Sequence, residues 1–356
     1  MFLFERFEFA EFILQPFVDL GRSHRVVIMP AVCGHQGARQ RTNIITRLIF
    51  AQASRAAASE LYNQTMKPGK TMAVLTLFLI AGERFAEAQA LSVKWEELTS
   101  GDFARAVAQA RGVCVLPFGI VEKHGPHLPL GTDLINVRYS SVQGAGQEYA
   151  VVFPEYYFGQ IFEAKHEPGT IAYSPKLQME LLQETTDEMA RNGCKKILVV
   201  NGHGGNNNLL PFFAQSQMAS PHDYVVYIYS RGEYPPGRPP MKSTQDSHAG
   251  ESETSHTMVS RPDLVHMERA ATESGADRNR LDLPKGVYTG IWWYAKFPDH
   301  YAGDGSVATR ELGEFDMKAS AANIANAIRA IKADQMSPRL QDEFFSHSKQ
   351  PLGTKQ

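Results

Sequence analysis

Acidic residues and histidines lie close together in one short segment of this chain, EKHGPHLPLGTD, which contains Glu122, His124 and Asp133. In extended backbone, residues two apart point to the same side, so Glu122 and His124 can present a carboxylate and an imidazole to one site. A turn at Gly125 and Pro126 would return Asp133 to the same place, where its two oxygens suit a bridge between two divalent cations. The segment predicts three metal ligands, although a solvated glutamate and a capped loop histidine would also explain it.

A glycine-rich turn follows a later apolar run and reads NGHGGN. Its glycines allow the backbone to approach a crowded site closely, so His203 is predicted to be a further metal ligand. A phosphate-binding turn is the alternative, because helix N-termini bind anions. Phosphate loops use lysine and hydroxyl side chains near the anion, however, whereas this turn has a histidine.

The third segment, SHAGESETS, is predicted to begin a helix at Ser247. On a helix, His248 and Glu251 are three residues apart and share a face, whereas Glu253 points elsewhere. Glu251 is therefore predicted to face the metal site beside His248, and both are candidate catalytic residues. A capped helix start with acidic residues in its first turn is an alternative that is compatible with this role.

The predicted ligands comprise two histidines and three acidic residues, a set that borderline ions such as Zn²⁺ and Mn²⁺ accept. Two ions about 3.5 to 4 Å apart activate a shared water and polarise a carbonyl. The set therefore predicts two divalent metals, Zn and/or Mn, and hydrolysis of a C–N bond.

Composition and cysteine content exclude other classes of protein. A formal net charge of −2, without blocks of like charge, provides no electrostatic footprint for nucleic acid. Cys33, Cys114 and Cys194 are too few and too scattered for a disulfide framework or a thiolate metal site. Cys114 and Cys194 are predicted to be buried in or beside strands.

Strand and helix patterns alternate around the three segments. Apolar runs typical of strands buried on both faces occur at 113–118, 196–200 and 224–229. Helical spacing of apolar residues occurs at 95–110, 176–192, 208–218 and 308–332. The alternation predicts an α/β domain with a parallel sheet, helices on both faces and a ligand site at the carboxyl ends of the strands.

The segment at 66–90 has the layout of a secretory signal peptide. Lys67 and Lys70 precede an apolar stretch at 71–81, and small residues are spaced for cleavage after Ala90. The apolar stretch is shorter than the roughly 20 residues that span a bilayer, so no stable membrane insertion is expected. If this signal peptide is used, the protein is expected to be periplasmic or secreted. If it is not used, the protein is expected to be cytoplasmic.

The signal peptide also suggests the division of the chain. If it begins the protein, residues 1–65 are upstream sequence translated from a start codon placed too early, and a genuine extension is the alternative. Residues 91–335 would form the hydrolase domain. Residues 336–356 are predicted to be a loose, polar tail.

The three segments EKHGPHLPLGTD, NGHGGN and HAGESETS resemble, in that order, the motifs of the creatininase (creatinine amidohydrolase) family. Blocks at 166–171 and 303–311 also resemble family sequence, so the likeness extends over 95–332. The resemblance implies a three-layer αβα sandwich with a mostly parallel sheet. It also implies a binuclear Zn or Mn site and a homo-oligomer, often a hexamer.

Individual roles follow from the resemblance as well. Glu122 and His203 would hold one metal, His124 the other, and Asp133 would bridge them. Creatininase has an acid two residues after the histidine of the second motif, where this chain has Gly205.

The resemblance assigns the third motif accordingly. Glu251 is expected to supply the fifth ligand in place of the missing acid, as in family members with NGHGGN. His248 resembles the histidine that handles protons during ring opening, and Glu253 resembles an acid outside the ligand shell.

The second motif also affects the expected substrate. Creatininase has an aromatic residue where this chain has Gly204, so creatinine is only a candidate. Gly204, Gly205, Trp292 and Trp293 are predicted to line the substrate pocket, although a buried aromatic cluster would also explain the tryptophans.

The predicted function is hydrolysis of a non-peptide or cyclic C–N bond in a small-molecule amide. A formamide deformylase or a peptidase of the same family is an alternative, and cleavage of a C–C or lactone bond is another. From a different class of protein, the alternative is a periplasmic protein that binds a small ligand without turnover.

Overall fold

The computed structural model describes residues 90–230 and 232–355 of the chain. The segment at 1–65 and, apart from Ala90, the predicted signal peptide at 66–90 lie outside the described residues. Within the described ranges, no helix combines the length and the apolar character needed to cross a bilayer.

Four parallel strands form the central sheet. They are β1 (Val113–Phe118), β2 (Val151–Val152), β3 (Lys196–Asn201) and β4 (Val225–Tyr229), in the order β2-β1-β3-β4. The apolar runs of β1 and β3 are buried almost throughout, as expected for strands with both faces covered. These two strands pair from Val113 opposite Lys196 to Phe118 opposite Asn201, so their carboxyl ends lie side by side.

Helices cover both faces of this sheet. The α-helices in the described ranges are α1 (Ser100–Gln109), α2 (Thr132–Gln147), α3 (Pro175–Arg191), α4 (Leu209–Ser216), α5 (Glu251–Ser260), α6 (Trp292–Lys296), α7 (Arg310–Ala333) and α8 (Met336–Ser348). On one face, α1, α3 and α4 pack against Leu116 and Phe118 of β1. On the other face, α2 and α7 pack against Val113 and Val115, because side chains alternate along a strand. The predicted three-layer αβα arrangement is confirmed.

The chain connections reverse between β1 and β3. From β1 the chain passes through α2 to β2 at one edge, and then through α3 on the opposite face to β3. Ligand sites of open α/β sheets lie at such a switch point, outside the carboxyl ends of the strands. The first two motifs follow β1 and β3 directly.

A second, antiparallel pair of strands positions the third motif. β5 (Asp246–His248) precedes α5 and pairs with β6 (Ala302–Gly303), which follows α6. The pairing brings the third motif beside residues that are about 50 positions further along the chain.

Two predicted elements differ from the structure. The helix expected at 95–110 begins only at Ser100, because the Thr99 side chain accepts a hydrogen bond from Asp102 N and caps the helix there. The prediction of a loose tail at 336–356 is wrong. Helix α8 occupies much of it, Phe345 is buried, and the Gln341 amide donates to two backbone carbonyls beside β4.

A disulfide bond joins Cys114 in β1 to Cys194 just before β3. Both residues are fully buried, as predicted, but their pairing was not predicted, because cysteine spacing cannot show which strands become neighbours. The two Cα atoms are 5.5 Å apart and 80 residues apart in sequence. A bond that closes a loop of this length stabilises the folded state by about 4.5 kcal/mol in the chain-entropy model.

Candidate metal centre

The first motif reaches the switch point because β1 ends against the first turn of α2. A Cβ atom on Gly119 would lie 2.4 Å from the Cα of Leu134, so only glycine permits this approach of the backbone. Glu122 and His124 follow in the next residues and are fully buried. Asp133, in the first turn of α2, is brought beside them.

Asp133 lies between two histidines that come from different strand ends. Its Oδ1 is 3.1 Å from Nε2 of His124, and its Oδ2 is 2.8 Å from Nδ1 of His203. Potential ligand atoms of Glu122, His124 and Asp133 all lie within 4.8 Å of one another. Four of the predicted metal ligands therefore converge at one point.

Backbone carbonyls orient both histidines. Nδ1 of His124 lies 3.2 Å from the carbonyl of Glu122, and Nε2 of His203 lies 3.0 Å from the carbonyl of Gln160. A ring nitrogen that donates to a carbonyl leaves the other nitrogen as an acceptor in the neutral ring. Those other nitrogens face the carboxylate oxygens, an arrangement that needs a proton or a cation between them.

The charges of the site also require a positive charge between the histidines and the carboxylates. Burial lowers the pKa of His124, but the nearby Asp133 and Glu122 carboxylates outweigh it and raise the pKa to about 9. Burial also lowers the pKa of His203, which Glu122 and Asp133 nonetheless raise well above its ordinary value. Burial raises the pKa of Glu122, yet His203 and His248 hold it well below the usual range. The carboxylates thus keep the two imidazole rings protonated. A divalent cation bound at the same place would displace those protons.

One carboxylate oxygen supports this interpretation independently. Oε1 of Glu122 is buried and has no hydrogen-bond partner among the described residues. It lies 2.8 Å from Nδ1 of His203, which is already bonded to Asp133. A buried charged oxygen without a partner is costly, and a cation at this point would satisfy it. The residues present therefore fit a metal ion.

Glu251 does not join the site, which corrects the prediction that it is the fifth metal ligand and a catalytic residue. Its Oε2 accepts hydrogen bonds from the backbone N–H groups of Lys242 and Ser243, both at 2.8 Å. The prediction assumed that the helix begins at Ser247. Residue 248 instead ends β5, Ala249 has a φ of 52°, and α5 begins at Glu251, so the three-residue helical spacing does not apply.

Glu253 occupies the place expected for Glu251. Its Oε2 is 3.9 Å from Nε2 of His124 and 3.8 Å from Nδ1 of His248. The backbone N–H of Ala249 donates to the same oxygen at 2.6 Å and holds it there. Because Glu253 is two residues beyond Glu251 on α5, the two carboxylates point to different sides of the helix.

His248 lies at the site, as predicted. Its ring centroid is 4.4 Å from that of His124, and only 6% of the residue is exposed. Nε2 lies 2.8 Å from the carbonyl of Lys123. When Nε2 donates to that carbonyl, Nδ1 is the atom that can accept a proton.

His300 also belongs to the site, although sequence reasoning missed it. Its Nε2 is 2.5 Å from Oε2 of Glu122, and the Trp293 indole N–H donates to its Nδ1 at 3.0 Å. Burial lowers the pKa of His300 to about 4, so the ring is neutral near pH 7. The sequence offers no signal for it, because His300 lies outside all three motifs.

A family model described as creatininase, creatinine amidohydrolase, matches residues 96–328, more than half of the chain. The chain belongs to the creatininase family. Creatinine amidohydrolase of Pseudomonas putida is 25% identical over 259 residues, which is 65% of this chain and 95% of the relative. Mycofactocin precursor peptide peptidase of Mycolicibacterium smegmatis is 32% identical over 157 residues, 42% of this chain and 59% of the relative. The protein is therefore a creatininase-family hydrolase.

Solved structures share the creatininase fold. A Bacteroides fragilis protein described as a candidate creatinine amidohydrolase has a TM-score of 0.59 and 22% identity, over 70% of this chain and 99% of that chain. A creatininase with Mn and a Zn–Zn variant, each 23% identical, have TM-scores of 0.55 and 0.54 over 68% of this chain, and are covered to 100% and 99%. These structures show the fold of this creatininase-family member, in which the clustered ligand atoms of Glu122, His124 and Asp133 could hold a metal ion.

The predicted substrate-binding residues line two different cavities of this creatininase-family protein. A polar cavity of about 360 Å³ is lined by Gly204 and opens onto Asp133, His203, His248 and Glu253. A larger cleft of about 700 Å³ is lined by Gly205, Trp292 and Trp293. The smaller cavity is the one that reaches the candidate ligands.

Position 205 has a glycine where creatininase has an acidic residue, and the structure gives a steric reason for this difference. A Cβ atom at this position would lie 2.4 Å from Nε2 of His203 and 2.9 Å from the carbonyl of Gln160. The bond between His203 and that carbonyl therefore leaves no room for a side chain. Glu253 approaches from α5 instead.

Proposed function

We propose that this creatininase-family hydrolase uses two divalent metals, Zn and/or Mn, to cleave a C–N bond in a small-molecule amide. The observation that carries the proposal is the position of Asp133, each of whose oxygens faces a different histidine. A carboxylate in this position suits a bridge between two cations.

The described side chains divide into two ligand sets that share Asp133. Glu122 and His203 would complete the first set, and His124 and Glu253 the second. Bound metals would activate a water molecule and polarise the amide carbonyl. The three carboxylates and the two imidazoles are already held in place by the protein, which reduces the cost of ordering them.

His248 is suited to move the proton that amide cleavage requires. Its Nε2 is directed to the carbonyl of Lys123, which leaves Nδ1 free to take up a proton and pass it to the departing nitrogen. Nδ1 lies 3.8 Å from Oε2 of Glu253, so this nitrogen and the carboxylate face the same part of the site.

The polar cavity limits the size of the substrate. A volume of about 360 Å³ suits a compact molecule or the end of a longer one. The relatives act on both kinds, since one is described as a creatinine amidohydrolase and another as a peptide peptidase. A cyclic or linear small amide is therefore the first candidate, and a formamide or a peptide terminus is the second.

The test is a substrate panel with the Zn- and Mn-loaded protein. The panel contains creatinine and other lactams, formamides, short peptides and lactones. We expect hydrolysis of at least one amide class, lost on chelation and restored by metal, with about two ions bound per chain. Binding of a panel member without turnover would instead indicate a binding protein, and cleavage of lactones alone would contradict amide hydrolysis.

We also propose that the protein is exported and works in the periplasm or outside the cell. The disulfide between Cys114 and Cys194 supports this location, because such bonds persist in oxidising compartments. We expect N-terminal sequencing of the mature protein to begin at Leu91. A mature protein that begins near Met1 would contradict export through the segment at 66–90. The predicted homo-oligomer, a hexamer by family resemblance, remains a prediction.

A further inference from the structure

His300 contacts the candidate metal centre from a part of the chain that carries none of the three motifs. The residue is 2% exposed and lies between α6 and β6. Its φ of 49° is a left-handed conformation that residues other than glycine rarely adopt. The surrounding structure therefore holds this residue in place against its own backbone preference.

The indole of Trp293 determines which nitrogen of His300 carries the proton. An indole N–H can only donate, so Nδ1 of His300 must accept at 3.0 Å and Nε2 must carry the hydrogen. Nε2–H then donates to Oε2 of Glu122 at 2.5 Å. This protonation removes Nε2 as a metal ligand, although Glu122, His248 and His300 have potential ligand atoms within 4.8 Å of one another.

The hydrogen bond makes the two oxygens of Glu122 unequal. Oε2 is occupied by His300, whereas Oε1 has no hydrogen-bond partner in the described ranges and faces Nδ1 of His203 at 2.8 Å. A carboxylate held in this way would lose its hydrogen bond to His300 if it rotated to turn both oxygens toward an ion. It presents one oxygen to the centre.

We propose that His300, oriented by Trp293, is a positioning residue that makes Glu122 a one-oxygen metal ligand. This inference rests on the proposed function, in which Glu122 binds a metal. Groups that orient metal ligands typically contribute 10- to 100-fold to metal affinity. Trp293 thus acts on the centre through His300, in addition to lining the larger cleft.

The test is Co²⁺ binding by the metal-free protein, measured by chelator competition and by the visible absorption spectrum. His300→Leu should weaken Co²⁺ binding about 10- to 100-fold and change the spectrum. His300→Gln keeps an amide N–H donor and should recover most of the affinity. Trp293→Phe keeps a ring but loses the N–H, and should give a smaller loss with a changed spectrum. Trp95→Phe, a change in a tryptophan that packs against Phe103 and Phe153, should alter neither quantity.

The outcomes separate this inference from the proposed function. Circular dichroism checks folding, and Trp293→Phe carries the test if His300→Leu does not fold. Wild-type affinity and spectrum in folded His300→Leu would overturn the inference, and so would a folded His300→Gln that binds as weakly as His300→Leu. A wild-type protein that binds no divalent metal would overturn the proposed function itself.

Discussion

Asp133→Asn should abolish metal binding and hydrolysis together. The substitution keeps the size of the side chain but removes its charge and one of the two oxygens that face His124 and His203 at 3.1 and 2.8 Å. Even groups that merely orient ligands contribute about 10- to 100-fold, so loss of a shared ligand should reduce kcat/KM by more than about 100-fold. Metal analysis of the dialysed protein and turnover of a panel substrate measure the two effects.

Asp316→Asn is the matched control for Asp133→Asn. Asp316 is also fully buried, but it is bonded to Arg238 and His256 and belongs to neither ligand set. Its substitution should lower the free energy of unfolding, because a buried ion pair loses its charge. It should not change the metal content. Full metal content and activity in Asp133→Asn would show that the proposed centre is wrong.

Glu253→Gln should lose metal and activity, whereas Glu251→Gln should retain both. Each change removes one negative charge from the start of α5, and the two carboxylates point to different sides of the helix. Oε2 of Glu253 faces His124 at 3.9 Å, and Oε2 of Glu251 faces the backbone of Lys242 and Ser243 at 2.8 Å. A glutamine at 251 still accepts backbone hydrogen bonds, although neutral bonds are weaker than charged ones.

The same pair of variants distinguishes the two assignments of the fifth ligand. We expect a reduction in metal affinity of more than about 100-fold for Glu253→Gln, measured by chelator competition. For Glu251→Gln we expect a modest loss of thermal stability and unchanged affinity. The reverse result would restore Glu251 as the ligand that the motif resemblance implies.

Much of the fold could be predicted because the controlling patterns are local. The runs at 113–118 and 196–200 are long, apolar and bounded by glycine, so they predict buried parallel strands. Parallel strands place their carboxyl ends at one edge, which is why the residues after β1 and β3 meet. The positions of the motifs after the two strands were therefore enough to predict that Glu122, His124 and His203 lie close together.

The third motif shows where local patterns fail. Whether Glu251 or Glu253 faces the site depends on the residue at which α5 begins, and a shift of a few residues rotates every side chain around the helix. The pairing of β5 with β6 keeps 246–248 extended and delays the helix to Glu251. That pairing involves residues more than 50 positions away, which the motif does not contain.

The sequence by itself determined the α/β class, the parallel strands and four of the candidate ligands, because these follow from spacing within short segments. Only the tertiary structure decided the fifth acidic residue, the pairing of Cys114 with Cys194 and the contact between His300 and Glu122. These features depend on contacts between residues from 54 to 178 positions apart, so they exist only once folding has brought distant segments together.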